Sequence, residues 1–195
     1  MRFDAIPITA ERADEFFETA PFVTYIQRSF AAPPEHVWGV IAGSRMWSWL
    51  PTVWGCRYPV ATEPAAGVVR DFQMHVHKWL VFAQHEQLIE FDTTRMMMRY
   101  TAIDATLPVF GSWCEEYRVE PADNPEHATV KWTLACAPRY LRRIPGVRFA
   151  LRPTAAVLQP IFRIGLGGLE RELPSHAPPQ LTAGIPLGLN SKDHI

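Results

Sequence analysis

Residues 31–53, AAPPEHVWGVIAGSRMWSWLPTV, decide the fold because they place two short helices between strand-like segments. The proline pair ending at Pro34 suits a first helical turn, where a missing backbone N–H is tolerated. A break at Gly43 and an N-cap at Ser44 predict a second helix, which ends at Pro51. The stretch therefore predicts two short helices near the start of a β-rich chain.

Strand-like alternation of apolar and polar residues fills most of the remaining chain. It predicts strands at 22–30, 53–60, 68–77, 79–91, 95–105, 109–120 and 128–136. Apolar residues at helical spacing then predict one long final helix at 154–173. We interpret 22–173 as one α+β domain, 1–21 as an N-terminal arm, and the Pro- and Gly-rich segment 174–195 as a flexible tail.

Charge and hydropathy exclude several classes of protein. The chain has 19 Lys and Arg against 20 Asp and Glu, without a basic stripe, so we expect no nucleic-acid partner. The first residues lack a signal-peptide pattern, and no apolar run reaches the length of a membrane span. We therefore expect a cytoplasmic protein.

We predict neither a metal nor a cofactor. Cys56, Cys114 and Cys136 are far apart in sequence, without the close pair that zinc or redox sites use. His75 and His77 fall on the polar face of their strand, with no third ligand at a suitable spacing, which favours a solvated pair. The GLGG run lies inside the predicted helix rather than between a strand and a helix, so it is not a phosphate loop.

Two charged residues fall on apolar strand faces. Arg70 lies among the inward positions of strand 68–77, and Glu115 among those of strand 109–120. An unpaired buried charge costs several kcal/mol, so each of these residues needs a partner. Two hypotheses stay open. Arg70 and Glu115 pair with each other or with Glu86 in a structural salt bridge, or one of them meets a polar group of a ligand.

The order of these segments resembles the START-like superfamily called SRPBCC, within it the polyketide cyclase/dehydrase and lipid-transport group. The matching pieces are AAPPEHVW, WSWLP, GVVRDF around Arg70, the strand containing Glu86, FDTTRMMMRY ending in Tyr100, and LPV at Leu107. The resemblance implies a helix-grip fold, in which a curved antiparallel sheet of about six to seven strands wraps around the long C-terminal helix. It also implies an elongated apolar cavity between sheet and helix.

With that fold, the inward-facing residues become candidates for the cavity wall. The ligand-binding candidates are Arg70, Phe72, Met74, Met96, Met98, Tyr100, Trp113, Glu115, Tyr117, Trp132, Phe162 and Leu166. No catalytic residue is assigned, because no spaced pair of a general acid and a general base is recognisable.

Three functions stay open. The first is binding of a hydrophobic small molecule, such as a lipid, isoprenoid or polyketide-like compound, in the cavity. The second is an enzyme of the cyclase, aromatase or dehydratase kind that uses the same cavity. The third is a regulatory or interaction module with a filled cavity, in which the basic segment APRYLRRIPGVR or the tail touches a protein or, transiently, a membrane. The sequence does not determine the oligomeric state.

Overall fold

The computed structural model describes residues 1–59, 62–140 and 146–173. In chain order its elements are β1 (Phe3–Asp4), α1 (Ala10–Thr19), β2 (Phe22–Phe30), α2 (Pro34–Ile41), β3 (Val53–Arg57), β4 (Val69–Val76), β5 (Trp79–Asp92), β6 (Met97–Ala105), β7 (Phe110–Pro121), β8 (Ala128–Pro138), α3 (Val147–Gly167) and a final 3-10 helix (Gly168–Arg171). The predicted tail at 174–195 and positions 141–145 of the basic segment lie outside the described residues.

The strands form one curled antiparallel sheet, as predicted. Its main path has seven strands in the order β2-β8-β7-β6-β5-β4-β3, and β1 pairs with β6 beside this path. From β3 to β8 each strand pairs with the next one along the chain, whereas β2 pairs with β8. The segment between β2 and β3 therefore connects the two edges of the sheet.

The two faces of the sheet carry different partners. Ile26, Tyr117 and Leu134 belong to the main core, into which α2 buries its apolar side. On the opposite face, Ala13 of α1 packs against Cys114 in a separate small cluster. The inner face is thus covered by the segment that links the edges, and α1 covers part of the outer face.

The prediction of a second short helix after α2 is wrong. Ser44 begins a series of turns held by i to i+3 hydrogen bonds, such as that from the Leu50 N–H to the Trp47 carbonyl at 3.0 Å. Trp47 has φ +66°, a left-handed conformation that a right-handed helix excludes. Its indole packs 5.0 Å from that of Trp132, centroid to centroid, so tertiary packing overrides the local helix signal.

The edge strand β3 also departs from simple alternation. Gly55 has φ +83° at a register shift, and a Cβ on it would lie 2.5 Å from the Ser44 carbonyl oxygen. Trp54 and Cys56, which would share one face of a regular strand, are therefore separated, with Cys56 buried and Trp54 half exposed. The Trp54 ring stacks on His75 at 3.7 Å, so His75 is buried rather than solvated as predicted.

The last described helix, α3, begins seven residues before the predicted start and ends at Gly167, where the 3-10 helix continues the chain. It contains Pro153 and Pro160. Its second half packs against the core through Leu166, and the Trp49 indole N–H donates to the Gly165 carbonyl at 2.8 Å. This contact fixes the end of α3 against the turns that follow α2.

Candidate functional site

A cavity of about 320 Å³ lies on the inner face of the sheet, near the lower end of the range typical of small-molecule pockets. Trp47 and Leu50 of the turn segment form one side of its wall, and Phe162 of α3 contributes another. Most of the wall consists of aromatic and aliphatic side chains from β4 to β8, while Gln84 contributes an amide group and Glu86 and Glu115 contribute carboxyl groups. Such a cavity suits a compact and mainly apolar molecule.

The predicted candidates divide into two groups. Those in the wall are Phe72, Met74, Tyr100, Trp113, Glu115, Trp132 and Phe162. Those placed elsewhere are Arg70, Met96, Met98, Tyr117 and Leu166. Met98, Tyr117 and Leu166 are buried in the main core, and Met96 precedes β6 with φ +46°, which removes it from the regular alternation of that strand. Sharing a face therefore did not guarantee access to the cavity.

Sequence reasoning missed several residues of the wall. They are Trp47, Leu50, Val53, Phe82, Gln84, Glu86, Val109, Phe110 and Leu134. Gln84 and Glu86 follow Phe82 at strand spacing, and this period of two was the available signal, which their polarity masked.

Arg70 is fully buried and paired with Glu86. The two residues lie opposite each other in the β4–β5 register, and Arg70 Nε donates to Glu86 Oε2 at 2.7 Å. Arg70 Nη1 donates to the Tyr58 hydroxyl at 3.1 Å, and the guanidinium lies 4.4 Å from the centroid of the Tyr100 ring. The Gln84 amide donates to the other oxygen of Glu86. Arg70 therefore forms the salt bridge of the first hypothesis, and its partner is Glu86.

Glu115 has a different environment, built from neutral donors. Trp113 Nε1 donates to Glu115 Oε1 at 2.7 Å, while the Tyr117 hydroxyl and Trp132 Nε1 donate to Oε2 at 2.8 Å and 2.6 Å. Among the described side chains, no Arg, Lys or His forms an ion pair with Glu115. The carboxyl is thus held in place without a compensating charge.

This environment makes Glu115 a titratable group at neutral pH. Burial raises the pKa of Glu115 to about 7, and the negative charge of Glu86 acts in the same direction, while the nearby hydroxyl and indole groups of Tyr100, Tyr117 and Trp113 act to lower it. Near pH 7 the Glu115 carboxyl therefore exists in both protonation states, each in the wall of an apolar cavity.

The two tyrosines beside Glu115 remain protonated. Burial, followed by the charge of Glu115, raises the pKa of both Tyr100 and Tyr117 well above the ordinary range. Their rings stack with centroids 6.2 Å apart, and Tyr117 stacks in turn on Trp132 at 5.4 Å. Of the two, Tyr117 donates a hydrogen bond that orients the carboxyl.

Neither a metal centre nor a membrane-spanning helix is found in the described ranges. In 1–59, 62–140 and 146–173, no group of three or more His, Cys, Asp and Glu side chains is arranged to hold a metal ion. None of the helices described there is long and apolar enough to cross a membrane.

Several solved structures have a fold similar to that of this chain. Similar structures include protein XoxI from Bacillus cereus, with 18% identity, 78% of this chain and 95% of that chain covered, and a TM-score of 0.57. A START superfamily protein from Mycobacterium smegmatis has 12% identity, coverage of 77% and 96%, and a TM-score of 0.56. The Zhui aromatase/cyclase from Streptomyces sp. R1128 has 19% identity, coverage of 77% and 93%, and a TM-score of 0.54. At these identities the likeness is one of fold.

A search of curated proteins finds no match to the chain. The family described as polyketide cyclase / dehydrase and lipid transport matches residues 22–174. This match covers the whole sheet except β1, together with α2, α3 and the segment in which the cavity lies. The chain therefore belongs to the polyketide cyclase / dehydrase and lipid transport family, within the START-like SRPBCC superfamily.

Proposed function

We propose that this protein binds a hydrophobic small molecule in the cavity and orients it through a hydrogen bond to Glu115. The observation that carries the proposal is a buried carboxyl held by neutral donors in the wall of an apolar cavity. A structural carboxylate is normally stabilised by a cation, as Glu86 is by Arg70. Glu115 lacks such a partner among the described residues, yet it is fixed in orientation, which suits recognition of a ligand.

The hydrogen bonds around the cavity favour one class of ligand. The indole N–H groups of Trp113 and Trp132 donate to Glu115, as does the Tyr117 hydroxyl. The amide of Gln84 donates to Glu86. These donors are engaged, whereas Glu115 Oε1 accepts one hydrogen bond, from Trp113, and has acceptor capacity left. We therefore propose an apolar lipid, isoprenoid or polyketide-like ligand with a hydroxyl or phenol group.

The volume sets the size of that ligand. A cavity of about 320 Å³ is too small for a long acyl chain together with a headgroup, and it suits a molecule of a few fused rings or a short branched chain. Aromatic walls such as Trp113, Trp132 and Phe162 favour stacking on a planar body. We thus favour a compact aromatic or cyclic alcohol.

Three naphthalene probes test this function. We expect 2-naphthol to bind about tenfold or more tightly than naphthalene or 2-methoxynaphthalene, because only 2-naphthol donates a hydrogen bond to the carboxylate. Affinity is measured by calorimetry, and the indole N–H signals of Trp113 and Trp132 in NMR spectra report the site. In Glu115→Gln the preference for 2-naphthol should be lost.

A pair of variants controls for location. Met74→Trp places a large ring in the cavity and should abolish binding of all three probes. Gln73→Trp adds the same ring on the opposite face of β4 and should leave binding unchanged. Equal affinities for the three probes, or full binding in Met74→Trp, would reject the proposed site.

One observation favours an enzyme as the second candidate function. A carboxyl with a pKa of about 7 in an apolar cavity is suited to proton transfer with an enolisable carbonyl compound. The protein should then accelerate exchange of the α-hydrogens of 2-tetralone for deuterium in D₂O, followed by NMR, and Glu115→Gln should remove the acceleration. Exchange at the uncatalysed rate would reject the enzyme function and leave ligand binding as the only proposed function.

A further inference from the structure

The tip of the β4–β5 hairpin carries large apolar side chains that nothing in the described chain covers. Trp79 is 69% exposed, and the next two residues, Leu80 and Val81, are 50% and 43% exposed. Consecutive residues of a strand point to opposite faces, so both faces of the tip are apolar and solvated. A strand that merely covers a core would alternate apolar and polar residues. The hairpin therefore presents an apolar wedge to its surroundings.

A second apolar loop lies beside this wedge. The Thr106 N–H donates to the Ala83 carbonyl at 2.8 Å, and the Ala83 N–H donates to the Thr106 hydroxyl at 2.9 Å. These bonds hold the loop between β6 and β7 against β5, and in that loop Leu107 and Val109 are about half exposed. We call the apolar surface formed by Val76, Trp79, Leu80, Val81, Leu107 and Val109 the rim.

The rim adjoins the mouth of the cavity. Val109 is 55% exposed and also belongs to the cavity wall, so one side chain joins the two apolar surfaces. Phe82, the residue after the wedge, lies in the same wall and packs in the cluster that contains Phe110. A molecule that leaves the cavity past Val109 thus meets the rim first.

The two segments that form the rim contain no acidic residue. Residues 72–83, FQMHVHKWLVFA, and 105–112, ATLPVFGS, contain no Asp or Glu, while Lys78 lies in the hairpin turn and next to Trp79. On the neighbouring strand β3, Arg57 lies opposite Asp71 in the register, and its guanidinium is 5.1 Å from the ring of the half-exposed Trp54. Cations beside exposed tryptophan and aliphatic side chains complement the anionic headgroups and the acyl region of a lipid membrane.

We propose that the rim docks on an anionic lipid membrane and brings the cavity mouth against the bilayer surface. Trp79 and Leu80 enter the interfacial region, and Lys78 contacts the headgroups. The docking contact needs no ligand in the cavity, so it is tested separately from the function proposed above.

The test is flotation of the purified chain with vesicles of phosphatidylcholine alone or mixed with phosphatidylserine. We expect binding to the mixed vesicles that weakens at high salt, and a loss of about tenfold or more in Trp79→Ser/Leu80→Ser. Lys78→Glu should weaken binding to the mixed vesicles by about fivefold or more and binding to neutral vesicles much less. Ile164→Ser, which removes an exposed apolar side chain from α3, is the matched control and should bind as the wild type does.

Both residues of the double variant are exposed, so it should fold, and circular dichroism checks this. The proposal is overturned if the wild-type chain floats with neither vesicle, or if Trp79→Ser/Leu80→Ser binds as tightly as the wild type. Dimerisation through the rim, seen by sedimentation and abolished in the double variant without any vesicle binding, would instead assign this surface to a second copy of the chain and would also overturn it.

Discussion

Removing the ionisable group at position 115 should change how the stability of the fold depends on pH. Burial, and then the charge of Glu86, places the pKa of Glu115 at about 7 against an ordinary value of 4.5. Between these values the folded chain holds a proton that the unfolded chain has released, so the free energy of unfolding falls as pH rises. At about 1.4 kcal/mol per pH unit, this group destabilises the wild type by about 2.5 kcal/mol between about pH 5 and about pH 8.

Glu115→Gln removes that pH dependence. Its amide N–H₂ faces the donors of Trp113 or Trp132, which introduces a constant loss of about 1–3 kcal/mol that does not depend on pH. The expected result is therefore a difference in slope. The free energy of unfolding of the variant, relative to the wild type, should rise by about 2.5 kcal/mol across this window. Urea unfolding followed by tryptophan fluorescence measures it.

The neighbouring Glu116 is a matched control with the opposite sign. Burial acts to raise the pKa of Glu116, but hydrogen bonds from Arg118 and Arg99 outweigh it and hold the pKa below its ordinary value. The stability that Glu116 supplies is present above the unfolded pKa and is lost as pH falls through the lower, folded pKa. Glu116→Gln should thus destabilise the chain by a nearly constant amount over the same window. A flat profile for Glu115→Gln as well would refute the raised pKa of Glu115.

Two further predictions concern the support of the site. Arg70→Met leaves Glu86 buried without a cation and should lower the free energy of unfolding by about 3–5 kcal/mol, while Arg70→Met/Glu86→Gln should recover about 1–3 kcal/mol of that loss in urea unfolding. Gly168→Ala should destabilise by about 1–3 kcal/mol, because its Cβ would lie 2.2 Å from Cδ1 of Trp49. Gly165→Ala is the control, since its Cβ would meet its nearest neighbour at 3.7 Å, and its thermal midpoint should stay within a few degrees of the wild type.

The sheet was predictable because the alternation of apolar and polar residues that indicates a strand is local and recurs in each strand. At most strand ends, the predicted and observed boundaries differ by a few residues. The predicted bounds of β2, 22–30, are the observed ones. The second short helix was not predictable in this way. The left-handed conformation of Trp47 depends on its contact with Trp132, which lies far along the chain. A pattern within residues 31–53 contains no information about that contact.

In the candidate site, likewise, the burial of single residues was predictable from the sequence, but their partners were not. Period-two alternation placed Arg70 and Glu115 on buried faces, and both are buried. Their partners depend on the register between strands, which aligns Arg70 with Glu86 and brings Trp132 of β8 opposite Tyr117 of β7. Sequence left the partner of Arg70 open between two acids, and only the register decides between them.

The two acids in the wall thus have different chemical consequences. Glu86 is neutralised by Arg70 and hydrogen-bonded by Gln84, so its carboxylate is occupied by the structure itself. Glu115 is oriented equally firmly, but by indole and hydroxyl donors that supply no charge. A ligand that donates a hydrogen bond stabilises the ionised form of Glu115 and supplies part of what a cation would supply in an ordinary buried pair. The geometry therefore favours Glu115, rather than the Arg70–Glu86 pair, as the group that would meet the proposed ligand.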